Sequence, residues 1–139
     1  MVRDFFDRDG NLKANQTKEK MEEAFILACL YGRTSAAAFL LEMGVDPAAG
    51  ANVGQTGFHL AAHAGHLETV SMLLDRNAPL EVMNVYGGTV LGQAVWSAIN
   101  EPHPNHLPII ESLIAAGAEV EPDWYTGNRR IDELLHRHS

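Results

Sequence analysis

Three histidines stand close together in the sequence, and their spacing is compatible with metal chemistry. His59, His63 and His66 lie in the segment TGFHLAAHAGH, separated by four and then three residues. Residues four apart share one face of a helix, and a neutral imidazole is a common zinc ligand. His103 and His106 form a second pair in the segment HPNH. One hypothesis is therefore a metal-binding protein or a metal-dependent enzyme that uses His63, His103 and His106.

The surroundings of these histidines favour an architectural role instead. No acidic residue stands next to His59 or His66 in the segment as a further ligand or base. Gly65 breaks the segment, so the three imidazoles need not share one helix face. The prolines of the segment PHPNH are typical of an exposed loop. We therefore expect no metal, no cofactor and no catalytic residue.

Composition restricts the class of protein. The chain has 139 residues, of which 46% are apolar, and this supports one folded domain. Its formal charge of −8 disfavours nucleic acid, because phosphate binding requires clustered Lys and Arg. The N-terminal segment is too charged for a signal peptide, and no apolar run reaches membrane-spanning length. With Cys29 as the single cysteine, which we expect to be buried, the sequence predicts a cytoplasmic protein that binds no membrane.

The chain repeats with a period of 33 residues. Thr56 and Thr89 are 33 residues apart, and the aliphatic pair 73–74 recurs at 40–41 with the same offset. Beyond Trp96 the register slips by 7 residues. Each unit combines a turn, a short apolar helix, a break and a second helix that ends in paired aliphatic residues. Such a helix pair must stack on its neighbours to bury its apolar face.

These units resemble ankyrin repeats of the bacterial type, most clearly in the second unit. That family's pattern reads G-x-T-P-L-H-x-A-A-x-x-G-H, followed by V-x-x-L-L-x-x-G-A. The second unit matches it at Gly54, Thr56, His59, Ala61, Ala62, Gly65, His66, Val70, Leu73, Leu74 and Ala78. Gly57 replaces the usual Pro and Phe58 the usual Leu, which predicts a less rigid helix start. The resemblance implies an all-α solenoid of stacked helix-turn-helix units with short β-turn fingers.

The repeat frame predicts a single ankyrin-repeat domain over residues 1–139. Its units are a partial repeat at 1–16, repeats at 17–50, 51–83 and 84–123, and a capping helix at 124–139. We expect an insertion at 98–104 to form a loop between two helices that extends the wall beside Trp96. Because the chain begins within a half repeat, Val2, Phe5 and Phe6 would form an apolar N-terminal face. Such a face predicts self-association or a fragment of a longer array.

The resemblance also implies roles for individual residues. A first set of residues has structural roles: they begin the helices, form hydrogen bonds to the turns or lie in the break between the two helices of a unit. These residues are Thr56, His59, Gly65, His66 and Thr89. Partners of such stacks contact the turn tips and the inner surface of the first helices. Those positions are Leu30, Tyr31, Val53, Gln55, His63, Val85, Tyr86, Trp96, Ser97, Trp124 and Tyr125. Trp and Tyr are enriched in binding hot spots, so we expect the aromatic members to be the main anchors.

The resemblance thus implies a non-catalytic module that binds another protein through its groove. The acidic charge suggests an inhibitory or immunity-like binder of a basic partner as a narrower form. Two alternatives stay open at this point. One is the metal-dependent enzyme on His63, His103 and His106, and the other is a structural spacer within a longer repeat array.

Overall fold

The computed structural model describes residues 15–50 and 54–137, in which seven helices and no strand occur. The helices are α1 (Asn15–Leu30), α2 (Thr34–Glu42), α3 (Gly57–Ala64), α4 (Leu67–Asp75), α5 (Val90–Asn100), α6 (His106–Ala115) and α7 (Arg129–Leu135). In this part of the chain, none of the helices combines the length and apolar character that a bilayer span requires. Val53 and the expected N-terminal face with Val2, Phe5 and Phe6 lie outside the described residues.

The helices stack in two rows. The inner row consists of α1, α3 and α5, and the outer row consists of α2, α4 and α6, while α7 packs on α6. One hydrophobic core connects the units, with Phe25, Phe58 and Leu91 as fully buried members from successive inner helices. Each unit buries its apolar side chains against the next one, which is how a linear repeat protein is stabilised. The predicted all-α repeat fold is confirmed.

Threonines begin two of the inner helices. The Thr56 hydroxyl oxygen accepts the His59 N–H at 3.2 Å, and the Thr89 hydroxyl oxygen accepts the Gly92 N–H at 3.1 Å. Each bond satisfies a backbone donor that the first turn of a helix would leave free. At the other end of α3, Gly65 has a φ of 80°, a left-handed conformation that glycine adopts without strain.

Gly57, where the family pattern has Pro, allows α1 and α3 to approach closely. A Cβ atom at this position would lie 2.7 Å from the Sγ atom of Cys29, so a proline would displace α1. Cys29 is fully buried, and burial raises the pKa of its thiol to about 12. The thiol therefore stays protonated at neutral pH and serves as a packing residue. The departure from the family pattern has a structural reason in this contact.

The insertion after Trp96 forms a shorter loop than expected. Helix α5 has 11 residues against 8 in α3, so part of the inserted sequence continues the helix as far as Asn100. Only residues 101–105 connect α5 to α6. The helix continues because Ala98 still packs against the core, which gives the extra turn an apolar side to bury.

Candidate binding groove

His59 and His66 join neighbouring units of the stack. Nε2 of His59 donates to the Gly88 carbonyl at 2.8 Å, and Nε2 of His66 donates to the Leu30 carbonyl at 2.8 Å. A carbonyl oxygen only accepts, so Nε2 carries the proton in both rings. The Nδ1 atom of His59 accepts from the Thr56 hydroxyl at 2.7 Å, and burial lowers the pKa of this histidine. Both nitrogens of the neutral His59 ring are therefore engaged.

His106 has the same role 40 residues after His66. Its Nε2 donates to the His63 carbonyl at 2.9 Å, and its Nδ1 accepts the backbone N–H of His103 at 3.0 Å. Burial is the main cause that lowers the pKa of His106. Both of its ring nitrogens are engaged, which leaves neither free for a metal ion.

The three histidines of the metal hypothesis do not converge. His63 lines a cavity between α3 and α5, whereas His103 and His106 line a second cavity of about 820 Å³ beside α6. Among residues 15–50 and 54–137, no group of three His, Cys, Asp or Glu side chains is placed to hold a metal ion. The positions of its own residues thus contradict the predicted alternative of a metal site.

The cavity between α3, α5 and the turn at 84–88 is open and has a volume of about 570 Å³. We call it the groove cavity. Its lining residues are Gln55, His63, Asn84, Tyr86, Gly88, Gly92, Gln93, Trp96 and Glu101. The structure therefore brings together four of the residues expected to bind a partner, Gln55, His63, Tyr86 and Trp96. The side chains of Tyr86 and Trp96 present large aromatic surfaces to solvent, with the two residues 83% and 52% exposed.

A chain of hydrogen bonds holds His63 at the edge of the groove cavity. Nε2 of Gln93 donates to Ser97 Oγ at 3.1 Å, and the Ser97 hydroxyl donates to Nδ1 of His63 at 2.7 Å. With Nδ1 as the acceptor, the proton of His63 lies on Nε2, 3.4 Å from Oε2 of Glu101. The rings of His63 and Trp96 lie beside each other, with their centroids 6.3 Å apart. The network fixes the imidazole between the serine and the carboxylate.

Ser97, His63 and Glu101 are the residue types of a nucleophilic triad, but the position of Ser97 does not suit that chemistry. Ser97 is 0% exposed, and its oxygen already accepts a hydrogen bond from Gln93. A nucleophile must reach the carbon that it attacks, which a hydroxyl without exposed surface cannot do. The expectation that Ser97 contacts a partner is corrected for the same reason, and its role becomes that of positioning His63.

Asn84 fixes the turn that carries Tyr86. The Oδ1 atom of Asn84 accepts hydrogen bonds from the backbone N–H groups of Tyr86 and Gly88, at 3.0 and 2.9 Å. The backbone N–H of Asn84 donates to the Gly88 carbonyl at 2.9 Å. On the other side of the amide, Nδ2 donates to Oε1 of Gln55 at 3.3 Å. Asparagine commonly stabilises turns in this way. The exposed Tyr86 ring is thus mounted on a rigid backbone.

The remaining residues expected to bind a partner do not line the groove cavity. These are Leu30, Tyr31, Val85, Trp124 and Tyr125, while Val53 lies outside the described residues. Trp124 is half-buried against the core, and the Tyr125 ring stacks on His136 at a centroid distance of 4.2 Å. Residues of the insertion line both cavities: Glu101 lines the groove cavity, and residues 102–104 line the second cavity.

Sequence reasoning missed Asn84, Gln93 and Glu101. Gln93, Ser97 and Glu101 follow one another at intervals of four, so they lie along one helix face, but this pattern is visible only if α5 continues into the insertion. Asn84 precedes Val-Tyr-Gly-Gly, a sequence typical of a turn that an asparagine side chain stabilises. Asn84 therefore had a signal in the local sequence, whereas the spacing of Gln93 and Glu101 becomes informative only once the length of α5 is known.

These features define a helical repeat protein with an open aromatic cavity between neighbouring inner helices. A family model described as ankyrin repeats (three copies) matches residues 25–123. The chain belongs to the ankyrin repeat family, whose members are generally protein-interaction modules. It is also similar to the transient receptor potential cation channel subfamily A member 1 homolog of Caenorhabditis elegans, with 35% identity over 107 residues. That match covers 76% of this chain and 8% of the length of that protein.

Proposed function

We propose that this chain is a non-catalytic protein-binding module whose partner occupies the groove cavity. The observation that carries the proposal is the pair of exposed aromatic residues, Tyr86 and Trp96, beside polar side chains that internal hydrogen bonds hold in place. Aromatic anchors of this kind contribute most of the energy at protein interfaces. A preformed site also loses little conformational entropy on binding.

The similarity to a channel protein supports the shared repeat architecture and nothing more specific, because it concerns 8% of that protein's length. An inhibitory or immunity-like role toward a basic partner is a narrower form of the same proposal. Its support is the net charge of −8.

The test compares partner capture by two pairs of substitutions. The groove variant Tyr86→Ala/Trp96→Ala removes the exposed aromatic surface of the groove cavity. The control variant Tyr31→Ala/Tyr125→Ala removes two aromatic residues that are 65% and 67% exposed but lie outside it. Circular dichroism and urea unfolding first establish that both variants fold like the wild type.

The proposal expects a protein from native extract that binds the wild type and the control variant and is lost by the groove variant. Mass spectrometry identifies the protein, and titration of the purified pair measures the loss, which we expect to exceed tenfold for two hot-spot residues, about 1.4 kcal/mol or more. Equal binding by the groove variant, or loss in the control variant alone, would place the interface elsewhere on the stack.

A further inference from the structure

We propose that the groove cavity binds an arginine side chain of the partner, between the Trp96 ring, the Glu101 carboxylate and the amide oxygens of Gln55 and Gln93. The inference rests on the proposed function, since it names the chemical group that enters the same site. Three properties of the lining carry it: its charge, its aromatic surface and its hydrogen-bond acceptors.

The formal charge of the lining is negative. Glu101 stands at the cavity with its side chain 60% exposed, and none of the lining residues is Lys or Arg. His63 is the histidine of the lining and counts as neutral in the formal charge at pH 7. The whole chain carries a net charge of −8, so the surrounding field also attracts a cation. Charge complementarity thus selects a basic group.

The aromatic surface favours a planar cation over a compact one. Trp96 is 52% exposed within the lining of the cavity. A guanidinium group stacks on an indole face and combines the cation–π attraction with planar contact, whereas an ammonium group offers only a point charge. A lysine would also keep more of its hydration shell, because its charge is concentrated on one atom.

The acceptors of the cavity lining match a donor with several N–H groups. Oε1 of Gln55 and Oε1 of Gln93 both face Nδ2 of Asn84, at 3.3 and 3.5 Å. An amide oxygen has two lone pairs, so each of these oxygens keeps an acceptor position after bonding Asn84. Arginine carries five N–H donors in one plane and can bond a carboxylate and an amide oxygen together. The combination of acceptors therefore points to arginine.

The experiment uses three tripeptides as probes and the ¹⁵N-labelled full chain as the receptor. The probes are acetyl-Gly-Arg-Gly-amide, its lysine analogue and its citrulline analogue, which is close to arginine in shape and has no charge. The two tryptophans of the chain report separately, because Trp96 lines the groove cavity whereas Trp124 does not. We expect the arginine peptide to shift the Trp96 indole N–H resonance saturably, with a small effect on Trp124, and to bind more tightly than either analogue.

The substitution Glu101→Gln removes the negative charge from the lining of the groove cavity and keeps the size of the side chain. We expect it to weaken binding of the arginine peptide about two- to fivefold, as for an exposed ion pair, and to leave the citrulline peptide unaffected. Glu68→Gln is the matched control, since Glu68 is an exposed residue of α4 outside the groove cavity. This control should bind the arginine peptide like the wild type.

Equal binding of the arginine and citrulline peptides, unchanged binding by Glu101→Gln, or the absence of a Trp96 shift would each overturn the assignment of arginine. The capture experiment on Tyr86 and Trp96 decides the proposed function separately. A partner that requires both aromatic residues, without any preference for the arginine peptide, would retain the groove as the interface and reject arginine as its ligand. Arginine binding without a captured partner would retain the preference of the groove cavity for a guanidinium group and contradict its assignment to a protein partner, and with it the proposed function.

Discussion

The free energy of unfolding should fall as the pH is lowered below about 6.5, because two buried histidines resist protonation. Burial lowers the pKa of His59 and the pKa of His106 below the usual histidine value of 6.5. In the unfolded chain both rings take up a proton near that value, whereas the folded rings stay neutral to a lower pH. The unfolded state then binds more protons, so stability that is present above this pH is lost as the pH falls.

The magnitude follows from the number of such rings. A histidine that is charged in the unfolded state and neutral in the folded state changes the free energy of unfolding by up to about 1.4 kcal/mol per pH unit. Two of them give a slope of up to about 2.7 kcal/mol per pH unit within this window. The contacts agree with the direction for His106, because a proton on its Nδ1 would face the backbone N–H of His103, which lies at 3.0 Å and cannot accept.

Urea unfolding followed by circular dichroism, at about pH 7.5 and about pH 5.5, measures the slope. The double variant His59→Gln/His106→Gln keeps amide donors at both positions and does not titrate. We expect this variant to be less stable than the wild type at neutral pH and to lose most of the slope. Asp132, whose pKa is lowered mainly by the hydrogen bond from the Thr126 backbone N–H, titrates below the usual range of an aspartate and so outside this window. A double variant with the slope of the wild type would refute the reasoning.

Two further predictions test the backbone of the stack. Gly65→Ala should cost more than Gly117→Ala, although both glycines have positive φ values of 80° and 105°. A Cβ atom at Gly65 would lie 2.7 Å from the His103 ring, whereas one at Gly117 has no neighbour within 4 Å. Urea unfolding should show that the control Gly117→Ala lowers the free energy of unfolding by about 1–2 kcal/mol, from backbone strain, and that Gly65→Ala lowers it further. Equal losses in the two variants would show that the His103 ring moves aside freely. Asn84→Ala leaves the N–H of Gly88 without its side-chain acceptor and should lower the free energy of unfolding by about 1–3 kcal/mol. We also expect this variant to bind the arginine peptide more weakly. Unchanged stability would show that the turn does not need the Asn84 side chain.

The fold was predictable because its signals are local and periodic. Thr56 and Thr89 begin helices at matching positions, and aliphatic pairs such as Leu73-Leu74 recur where each second helix packs on its neighbours. A repeat frame carries this information from unit to unit, since each unit must bury the same face. A fixed period of 33 does not align His66 with His106, because the inserted residues place them 40 apart. The two histidines nevertheless donate to backbone carbonyls in the same way.

The candidate binding site was predictable only in part, because exposure does not follow the repeat frame when a helix changes length. Tyr31 and Ser97 occupy equivalent positions, 66 residues apart in a frame of 33. Tyr31 follows the last residue of α1 and is 65% exposed, whereas Ser97 lies inside α5 and is 0% exposed. The extra turn of α5 accounts for the difference, since it places Ser97 within a helix that continues to Asn100. Side-chain networks between units, such as that of Gln93 with His63, depend on this packing and not on the local sequence.

Two contacts hold His63 beside the groove cavity, and the insertion supplies one of them. Glu101, at the end of the lengthened α5, faces the Nε2 atom of His63 at 3.4 Å. His106, after the connection, donates to the backbone carbonyl of the same residue at 2.9 Å. In the preceding unit the Leu30 carbonyl accepts the corresponding bond from His66, but an aliphatic side chain stands in place of the imidazole. The second bond is thus part of the regular repeat, whereas the carboxylate is what the insertion adds. Aromatic side chains pack against many kinds of ligand, whereas a carboxylate favours a cation. Under our proposal, the selectivity of the groove cavity therefore depends on Glu101, the residue that the insertion adds.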